Sequence, residues 1–443
     1  MFRRRRGRRT TCPGVLGQTP HGVDLPVCPC ARVPVCQGSD VPRRPPEGVH
    51  GDRLAVPRTG LNYPGGMLEH PAHPLVDIVI PVHSTSRPLA RAVASAWLAA
   101  RGAAPGQCRV TVVAHHLTGD QVREMLPPEH RAAVQVLECE DRGTTAAVPR
   151  NEALRRTTAR YVSFLDSDDT LDPGAVTRWI GIAEHRGSDL VMPFQHHEND
   201  RVDITPITRP FRSARLDPVR DRLAYRSSAF GLVRVATARR LSAYFDEDVR
   251  TGEDQSFVVA LCTGVRRIDL APGTPGYLVH TDADARVSRQ PLPIRDEVAA
   301  ALDLALKPWF AGVSAAFRTS FVLKYVRVNF FPAVERSVRS GQWGEGRAQA
   351  TKSVAAELLG FAPHVADQLS RADRRVLSLL EGTAEEGELL AALEARRRFG
   401  TPAALLTEGP RWLLARQAPV RVAVASAVQI ARYRRGLVKC RRP

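Results

Sequence analysis

The chain has 443 residues, of which 43% are hydrophobic, and carries a formal net charge of +17 at pH 7. This length and hydrophobic content exclude a wholly disordered chain and allow one large domain or two ordinary ones. Basic residues crowd both ends, which favours an anionic partner: nucleic acid, an anionic membrane surface or a polyanionic polymer. No helix-turn-helix, zinc-finger or RNA-stacking signature accompanies the arginines.

The first 70 residues are rich in Arg, Pro and Gly and lack helical or strand periodicity, so we expect a disordered segment. Met67, just ahead of the first clear strand, is an alternative start, in which case this segment is not part of the native product. Four cysteines in it have a spacing that zinc sites do not normally use: Cys12, Cys28, Cys30 and Cys36.

The remaining four cysteines are scattered without paired spacing, which favours a reduced, cytoplasmic setting. No run of about 18 apolar residues occurs, so the sequence predicts no helix that spans a membrane.

Strands and helices are predicted to alternate from residue 76 onward. The predicted strands are Val76–Ile80, Arg109–Val113, Ala133–Leu137 and Tyr161–Leu165. The predicted helices between them are Leu89–Ala100, Gly119–Leu126 and Pro149–Thr158. This alternation indicates an α/β fold in which a mostly parallel sheet has helices on both faces.

The fourth predicted strand ends abruptly in the acidic run Asp166–Asp169. In extended backbone Asp166 and Asp168 would point to the same side, where two carboxylates suit a cation or a charged ligand. Ligands of parallel sheets bind beyond the carboxyl ends of the strands, which is where this run lies. The alternative is that one acid caps a helix starting near Pro173 while the others are solvated.

A second acidic pair, Glu253 and Asp254, follows Gly252 and precedes an apolar helical pattern. The pair is therefore predicted on the first turn of a helix, where the helix dipole alone would favour acids. Tyr277–His280 follows a Pro/Gly turn and is predicted to begin as a strand.

Strand patterns become rare after residue 293, and amphipathic helices are predicted instead. We expect a helical accessory domain over 293–407, in which most of the aromatic residues between Trp309 and Phe331 form a core. Residues 408–443 form a basic amphipathic tail, which either lies on a membrane surface or docks on the rest of the chain.

Four segments, in this order and spacing, resemble the family 2 glycosyltransferases of the GT-A fold. They are Ile78–Val82 (IVIPV), Arg150–Asn151, Tyr161–Asp169 (YVSFLDSDD) and Gly252–Phe257 (GEDQSF). The resemblance covers about half of the chain and implies a Rossmann-like GT-A domain over residues 74–292. It implies an inverting enzyme that moves a sugar from a nucleotide-diphosphate donor to a hydroxyl group of a polysaccharide, a cell-envelope polymer or a lipid-linked acceptor.

The resemblance also assigns roles to individual residues. Asp254 would be the general base, while Asp168 and His280 would hold a divalent metal, Mn²⁺ or Mg²⁺, on the donor diphosphate. Asp166 would contact the ribose or complete the metal environment, and Asp169 would lie by the donor sugar or cap the next helix. The nucleotide and donor would be bound by Pro81, Val82, His83, Arg150, Asp166, Asp169 and Glu253. A more diffuse resemblance marks Ser288, with Arg286 and Arg289, as a phosphate-facing loop.

Two positions depart from the family pattern. His83 and Ser84 follow Val82 where most relatives carry Tyr-Asn or similar residues, which leaves a stacking role open to His83. More seriously, Ala114–His116 replaces the acidic pair that usually recognises uracil at the end of the second strand. A UDP-sugar stays the expected donor, and the alternatives are a different base read by His115 or His116, or a site that has lost donor affinity.

Three classes of function remain open at this stage. An inverting glycosyltransferase, attached or not to the inner face of a membrane, is the leading interpretation. A nucleotide-sugar binding module without catalysis is the second, because of the departure at Ala114–His116. A basic binder of nucleic acid or another polyanion is the third.

Overall fold

The structure is a computed structural model. It describes residues 73–139, 143, 145–199, 201–273, 275–282, 292–341, 343–382 and 385–440, with side chains up to residue 434. Several predictions lie outside the described residues: the disordered segment 1–70 with its cysteines and Met67, and the loop with Arg286, Ser288 and Arg289.

Eleven strands form two sheets in the described residues. A seven-stranded sheet has the order β10-β6-β9-β4-β1-β2-β3. Its pairs are parallel except that β9 runs antiparallel to β4 and β6. Its strands are β1 Val76–Val82, β2 Cys108–Ala114, β3 Gln135–Glu138, β4 Tyr161–Phe164, β6 Leu190–Pro193, β9 Leu232–Arg234 and β10 Ile268–Ala271. The predicted mostly parallel sheet is therefore confirmed, with one antiparallel strand that the sequence pattern did not predict.

A second, smaller sheet has the order β5-β11-β7-β8. Its strands are β5 Thr170–Leu171, β7 Gln195–His197, β8 Val202–Asp203 and β11 Tyr277–Val279. The chain leaves β4 of the large sheet and enters β5 of the small one through Leu165–Asp169. The acidic run therefore lies at the junction of the two sheets.

Seven helices accompany the strands of the described residues. They are α1 Leu89–Ala99, α2 Gly119–Glu124, α3 Pro128–Arg131, α4 Ala147–Arg156, α5 Ala175–Arg186, α6 Val235–Arg240 and α7 Asp254–Gly264. Side chains alternate along β1, so that Ile78 and Ile80 pack with α1 and α5, while Val79 packs with α4 and α7. Helices thus cover both faces of the large sheet, as predicted.

The rest of the described chain is helical, as expected after residue 293. Its α-helices are α8 Ile294–Leu306, α9 Pro308–Ala311, α10 Ala315–Tyr325, α11 Phe331–Arg339, α12 Glu345–Gly360, α13 Arg371–Glu381, α14 Glu386–Ala395, α15 Pro402–Leu405 and α16 Pro419–Cys440. A π-helical turn, Val326–Phe330, joins α10 to α11.

The aromatic side chains of α9 to α11 are buried, except that Trp309 is 41% exposed. They belong to the same hydrophobic cluster as the α7 face of the large sheet. The helices therefore pack directly on the α/β part, and the predicted boundaries at 292 and 407 stay predictions. Within the residues described above, no helix has both the length and the hydrophobicity to cross a membrane.

Candidate active site

The acidic run between β4 and β5 forms a turn, because the Asp169 amide donates to the Asp166 carbonyl at 3.1 Å. The prediction that Asp166 and Asp168 share one side of an extended strand is therefore wrong, since β4 ends at Phe164 and the chain then turns. The capping alternative is also wrong. Gly174 precedes the first residue of α5, and no side chain caps that helix.

Arg150, on α4, connects the two acidic sites that the sequence predicts. Its Nη2 lies 2.5 Å from Asp166 Oδ1 and its Nη1 lies 3.0 Å from Glu253 Oε1. The guanidinium carbon also lies 5.3 Å from the ring centre of Phe245. Because Arg150 is only 6% exposed, both carboxylates are held by a buried, hydrogen-bonded charge.

Asn151, the next residue of α4, fixes the loop that leads to the second acidic site. Its Nδ2 donates to the Phe245 carbonyl at 3.0 Å, and its Oδ1 accepts from the Phe245 amide at 2.8 Å. These two bonds satisfy a backbone segment that has no sheet partner there. The Arg150–Asn151 pair thus supports both the charge and the backbone of the site.

Asp254 begins α7, as predicted, and is preceded by a tight turn at Gly252 with φ of +78°. A Cβ at Gly252 would lie 3.0 Å from the Ala300 Cβ of α8, so glycine suits both the turn and the close packing. Burial, then the neighbouring Glu253 charge, raises the pKa of Asp254 from 3.8 to about 7. A carboxyl with this pKa can accept a proton near neutral pH, as a general base must.

Lys324, from α10, is buried beside the first turn of α7. Its side chain is 1% exposed, and Nζ donates to Gln255 Oε1 at 3.3 Å. Burial lowers the pKa of Lys324 to about 8, against the attraction of Asp254. Its positive charge, after that of Arg150, acts to lower the pKa of Asp254. A residue of the helical region therefore contributes to the electrostatics of the predicted base.

Tyr277, on β11, ties the acidic turn to the small sheet. Its hydroxyl oxygen accepts from the Asp166 amide at 3.1 Å and its proton is donated to Asp169 Oδ2 at 2.9 Å. The His280 amide donates to Asp169 Oδ1 at 2.9 Å. Burial, then the charges of Asp166 and Asp168, raises the pKa of Asp169 to about 8. The position of Asp169 is thus that of a buried anchor of the turn.

His280 also has partners for both ring nitrogens. Nδ1 lies 2.6 Å from Glu198 Oε1, and Nε2 lies 2.8 Å from Thr170 Oγ1. Asp168, the other predicted metal ligand, has Oδ2 only 2.8 Å from Arg87 Nη1. No three His, Cys, Asp or Glu side chains converge with ligand spacing in the described part of the chain. Asp168 and His280 are thus each held by protein side chains, and the metal site assigned to them stays a prediction.

Two arginines contact the acidic turn: Arg87, which precedes α1, and Arg91, which lies on it. Arg87 binds the Asp168 carboxylate, while Arg91 Nη2 donates to the Asp168 carbonyl at 2.6 Å. Arg91 also forms an ion pair with Asp282 at 2.5 Å. The edge of the site where a donor diphosphate is expected is therefore lined by guanidinium groups.

The predicted base pocket lies where β1 and β2 end. Pro81 and Val82 pair with Val113 and Ala114 as the last residues of β1. His83 follows with its side chain still exposed. Partial loss of solvent around the ring, then the charge of Arg87, lowers the pKa of His83, so that the neutral ring is favoured at pH 7. 

His115 and His116 follow β2, with ring centres 3.9 Å apart. His115 is 2% exposed and its amide donates to the Val82 carbonyl at 2.9 Å, whereas His116 has φ of +59°. The charges of His115 and His116 act on His83, so the three side chains lie near one another where the family pattern has an acidic pair.

Sequence reasoning missed Arg87, Arg91 and Lys324. Arg91 lies on α1, whereas Arg87 lies in the turn before that helix, so no helical spacing relates the two arginines in the sequence. Lys324 lies in an apolar helical pattern 70 residues from Asp254, and no local pattern connects the two. No role is assigned to Asn151 from the sequence, because its hydrogen bonds to the Phe245 backbone join residues that are far apart in the sequence.

Comparisons with known proteins show which proteins this chain resembles. Residues 77–244 match the family model described as Glycosyl transferase family 2. The poly(ribitol-phosphate) beta-N-acetylglucosaminyltransferase TarP of Staphylococcus aureus (strain N315) is 23% identical over 158 residues, which are 35% of this chain and 48% of TarP. The chain thus spans about half the length of this curated relative.

Solved structures of S. aureus TarS also match. The structure of TarS residues 1–349 in complex with UDP-GlcNAc matches with a TM-score of 0.58 at 16% identity. The match covers 73% of this chain and 91% of the TarS chain. The longer TarS structure gives 0.57 at 16% identity, covering 72% of this chain and 55% of that one. At this identity the match shows a shared fold, which includes helices beyond the α/β part.

Proposed function

The chain belongs to the family 2 glycosyltransferases and has their GT-A fold, and on this premise we propose that it is an inverting transferase. It moves a sugar from a nucleotide-diphosphate donor to a hydroxyl group of an acceptor. The observation that carries the proposal is the buried Arg150, which holds Asp166 and Glu253 together and so brings the donor-side acids within one site with Asp254.

The proposed donor is a UDP-sugar. One TarS structure contains UDP-GlcNAc and another contains UDP. In this chain Pro81, Val82 and His83 would flank the base, with His83 stacking on it in the neutral form that its lowered pKa favours. Asp166 would contact the ribose. His115 and His116 would contribute the remaining wall in place of an acidic pair.

Asp254 supplies the chemistry of the proposed transfer. Its carboxylate takes the proton of the acceptor hydroxyl while that oxygen forms a bond to the anomeric carbon. The bond from the anomeric carbon to the diphosphate breaks, its electron pair leaves with the diphosphate, and the sugar is inverted. Glu253, held by Arg150, fixes the turn that presents Asp254.

Charge on the departing diphosphate needs cationic neighbours. Arg87 and Arg91 are the guanidinium groups beside Asp168, and we propose that they face the diphosphate. Mn²⁺ or Mg²⁺ is the expected cofactor in this family, and a bound cation would supply further charge stabilisation. Here it would have to displace Arg87 from Asp168. His280, held by Glu198 and Thr170, gives it no free ring nitrogen.

The proposed acceptor is a polysaccharide, a cell-envelope polymer or a lipid-linked precursor of one. TarP, whose name states transfer to poly(ribitol-phosphate), supports the polymer class. A lipid-linked acceptor would place the protein at the cytoplasmic face of a membrane, attached peripherally. The positive charge of the C-terminal residues is consistent with that location.

A nucleotide-sugar binder without catalysis is the second candidate, and the departure at Ala114–His116 favours it. It would bind UDP yet fail to transfer a sugar to any acceptor. The third candidate, a polyanion binder, would bind in a strongly salt-dependent way that survives Asp168→Ala.

A thermal-shift panel with UDP, GDP, CDP and dTDP, each with and without MnCl₂ or MgCl₂, tests the proposal. We expect UDP to raise the melting temperature most, since a ligand that binds only the folded state stabilises it. Release of UDP from UDP-sugars in the presence of acceptor then separates an enzyme from a binder. No shift with any nucleotide would overturn the donor proposal.

A further inference from the structure

A second feature of the molecule lies outside the candidate active site, where residues 209–222 meet α16. Gln429 Nε2, on α16, donates to Thr208 Oγ1 at 2.8 Å, and Arg222 Nη2 donates to the Arg416 carbonyl at 3.1 Å. Between these elements is an open cavity of about 630 Å³. The buried cluster of Ile207, Tyr225, Val422 and Ala425 holds the two elements together beneath it.

The cavity is lined by five arginines, which differ in how they are neutralised. Arg209 is paired with buried Asp221 at 2.7 Å, and Arg222 is itself buried on carbonyl oxygens. The other three, Arg220, Arg416 and Arg421, are exposed. This surface therefore keeps a net positive charge that faces solvent.

Large apolar side chains are exposed on the same surface. Leu414 is 79% exposed and Val424 is 58% exposed, and both line the cavity. Phe211, beside the cavity residue Pro210, is 74% exposed with Arg432 of α16 over its ring at 4.7 Å. Half of the six large hydrophobic side chains that are exposed in the described residues lie here. Such clustering is typical of an interaction surface.

The outward side of α16 continues this pattern. Arg421, Val424, Ala427, Ala431 and Arg432 are exposed at helical spacing, so aliphatic residues lie between arginines on one face. The opposite face is buried by the cluster described above. Residues 409–443 contain nine Lys and Arg and no Asp or Glu. We call Phe211, Leu414, Val424 and the three exposed cavity arginines the arginine–aliphatic face.

The composition of this face distinguishes among anionic partners. A soluble polyanion would be bound by the arginines alone, and the exposed aliphatic side chains would stay in water. Single-stranded nucleic acid would favour a row of aromatic platforms, whereas Phe211 is the one aromatic side chain among the three exposed apolar residues of this face and Leu414 and Val424 are aliphatic. An anionic bilayer accounts for both, because aliphatic side chains enter the headgroup–acyl boundary while arginines bind lipid phosphates.

We propose that the arginine–aliphatic face docks on an anionic lipid bilayer, with Leu414, Val424 and Phe211 entering the interface and Arg220, Arg416 and Arg421 contacting phosphates. This proposal assigns a surface to the peripheral membrane attachment described under the proposed function. Only its biological role rests on that proposed function. It would hold the transferase beside acceptors that are anchored in lipid.

Co-sedimentation of the full chain with vesicles tests the docking. We expect binding to vesicles of equal phosphatidylcholine and phosphatidylglycerol, and little binding to phosphatidylcholine alone. Leu414→Asp/Val424→Asp should weaken binding by about tenfold or more. Its matched control is Leu306→Asp/Phe399→Asp, which adds the same charge at two exposed apolar positions outside the cavity lining and should bind nearly as the wild type does.

The arginine contribution has its own matched pair. Arg220→Gln/Arg416→Gln/Arg421→Gln should weaken binding by about fivefold for each arginine. Arg101→Gln/Arg240→Gln/Arg398→Gln removes the same charge at exposed positions away from the face and should have less effect. Circular dichroism melts of all variants verify folding.

Two outcomes would overturn the proposal. Equal binding by the wild type and the Leu414→Asp/Val424→Asp variant would mean that the face attracts polyanions without entering a bilayer. Equal effects of the two arginine triples would mean that net charge alone acts. Sugar transfer to a soluble acceptor should be unchanged in every variant, so failure of docking and failure of the proposed function remain distinguishable.

Discussion

Arg150 Nη1 lies 3.0 Å from Glu253 Oε1, so a helix that follows β3 is joined by a buried ion pair to the turn that presents Asp254. The same guanidinium holds Asp166 at the end of β4. One cation therefore balances carboxylates from two distant parts of the chain. Without it, two partly buried negative charges would face each other across the site.

Arg150→Met should destabilise the fold, because it leaves Asp166 and Glu253 without their buried partner. We expect a loss of about 3–5 kcal/mol in the free energy of unfolding, measured by urea denaturation. Arg155→Met is the matched control on the same helix. Arg155 is 41% exposed and pairs with Glu152 at 3.4 Å, so its loss should cost under about 1 kcal/mol. Similar losses for both variants would contradict the central role of Arg150.

Asp254→Asn should abolish transfer while preserving donor binding, because asparagine keeps the shape but cannot accept the proton. We expect a decrease in kcat of about 10²–10⁴-fold. Affinity for UDP, measured by calorimetry, should be nearly unchanged. Asp120→Asn is the control and should keep full activity, because the Asp120 side chain on α2 is 90% exposed. An active Asp254→Asn enzyme would remove Asp254 from the role of general base.

Lys324→Met should shift the pH dependence of kcat/KM to higher pH. Asp254 has a pKa raised to about 7, so activity should rise with pH up to that value as the base becomes deprotonated. Lys324 lowers this pKa, and its removal should therefore raise it further. Lys352→Met, on the exposed side of α12, is the control. A profile that stays in place in a folded Lys324→Met enzyme would exclude electrostatic coupling.

His83→Ala should weaken binding of UDP, because the proposed stacking on the base is lost. We expect a decrease of about 5- to 100-fold in affinity, measured by calorimetry at pH 7.5. His185→Ala, on the exposed side of α5, provides the control. If the His83→Ala variant binds UDP with unchanged affinity, the base does not bind at the end of β1.

The large sheet was predictable because its strands are apolar runs separated by helical patterns. β1, which begins at Val76, and β4, which begins at Tyr161, consist largely of buried β-branched and aromatic residues. Such runs are recognisable in the local sequence. The antiparallel strand β9 was not predictable in this way. It has only three residues, and its direction depends on pairing with β4 and β6.

The candidate site was predictable only in part, for the same physical reason. Asp166, Asp168 and Asp254 follow strand or helix boundaries that the sequence marks. The cationic neighbours of these acids do not follow such boundaries, because Arg87 lies 81 residues before Asp168, and Lys324 belongs to the helical region. The extended geometry assumed for Asp166 and Asp168 also ignored the turn needed to pass from one sheet to the other.

A Cβ atom added at Gly252 would lie only 3.0 Å from the Cβ of Ala300 on α8. Because of this close approach, the C-terminal helices cannot be replaced as a unit by those of another protein unless the replacement also presents a small residue to the turn before Asp254. The position on α8 that faces this turn is therefore restricted to small residues. A chimaera that keeps residues 292–306 should fold more reliably than one that is cut at the end of the α/β part.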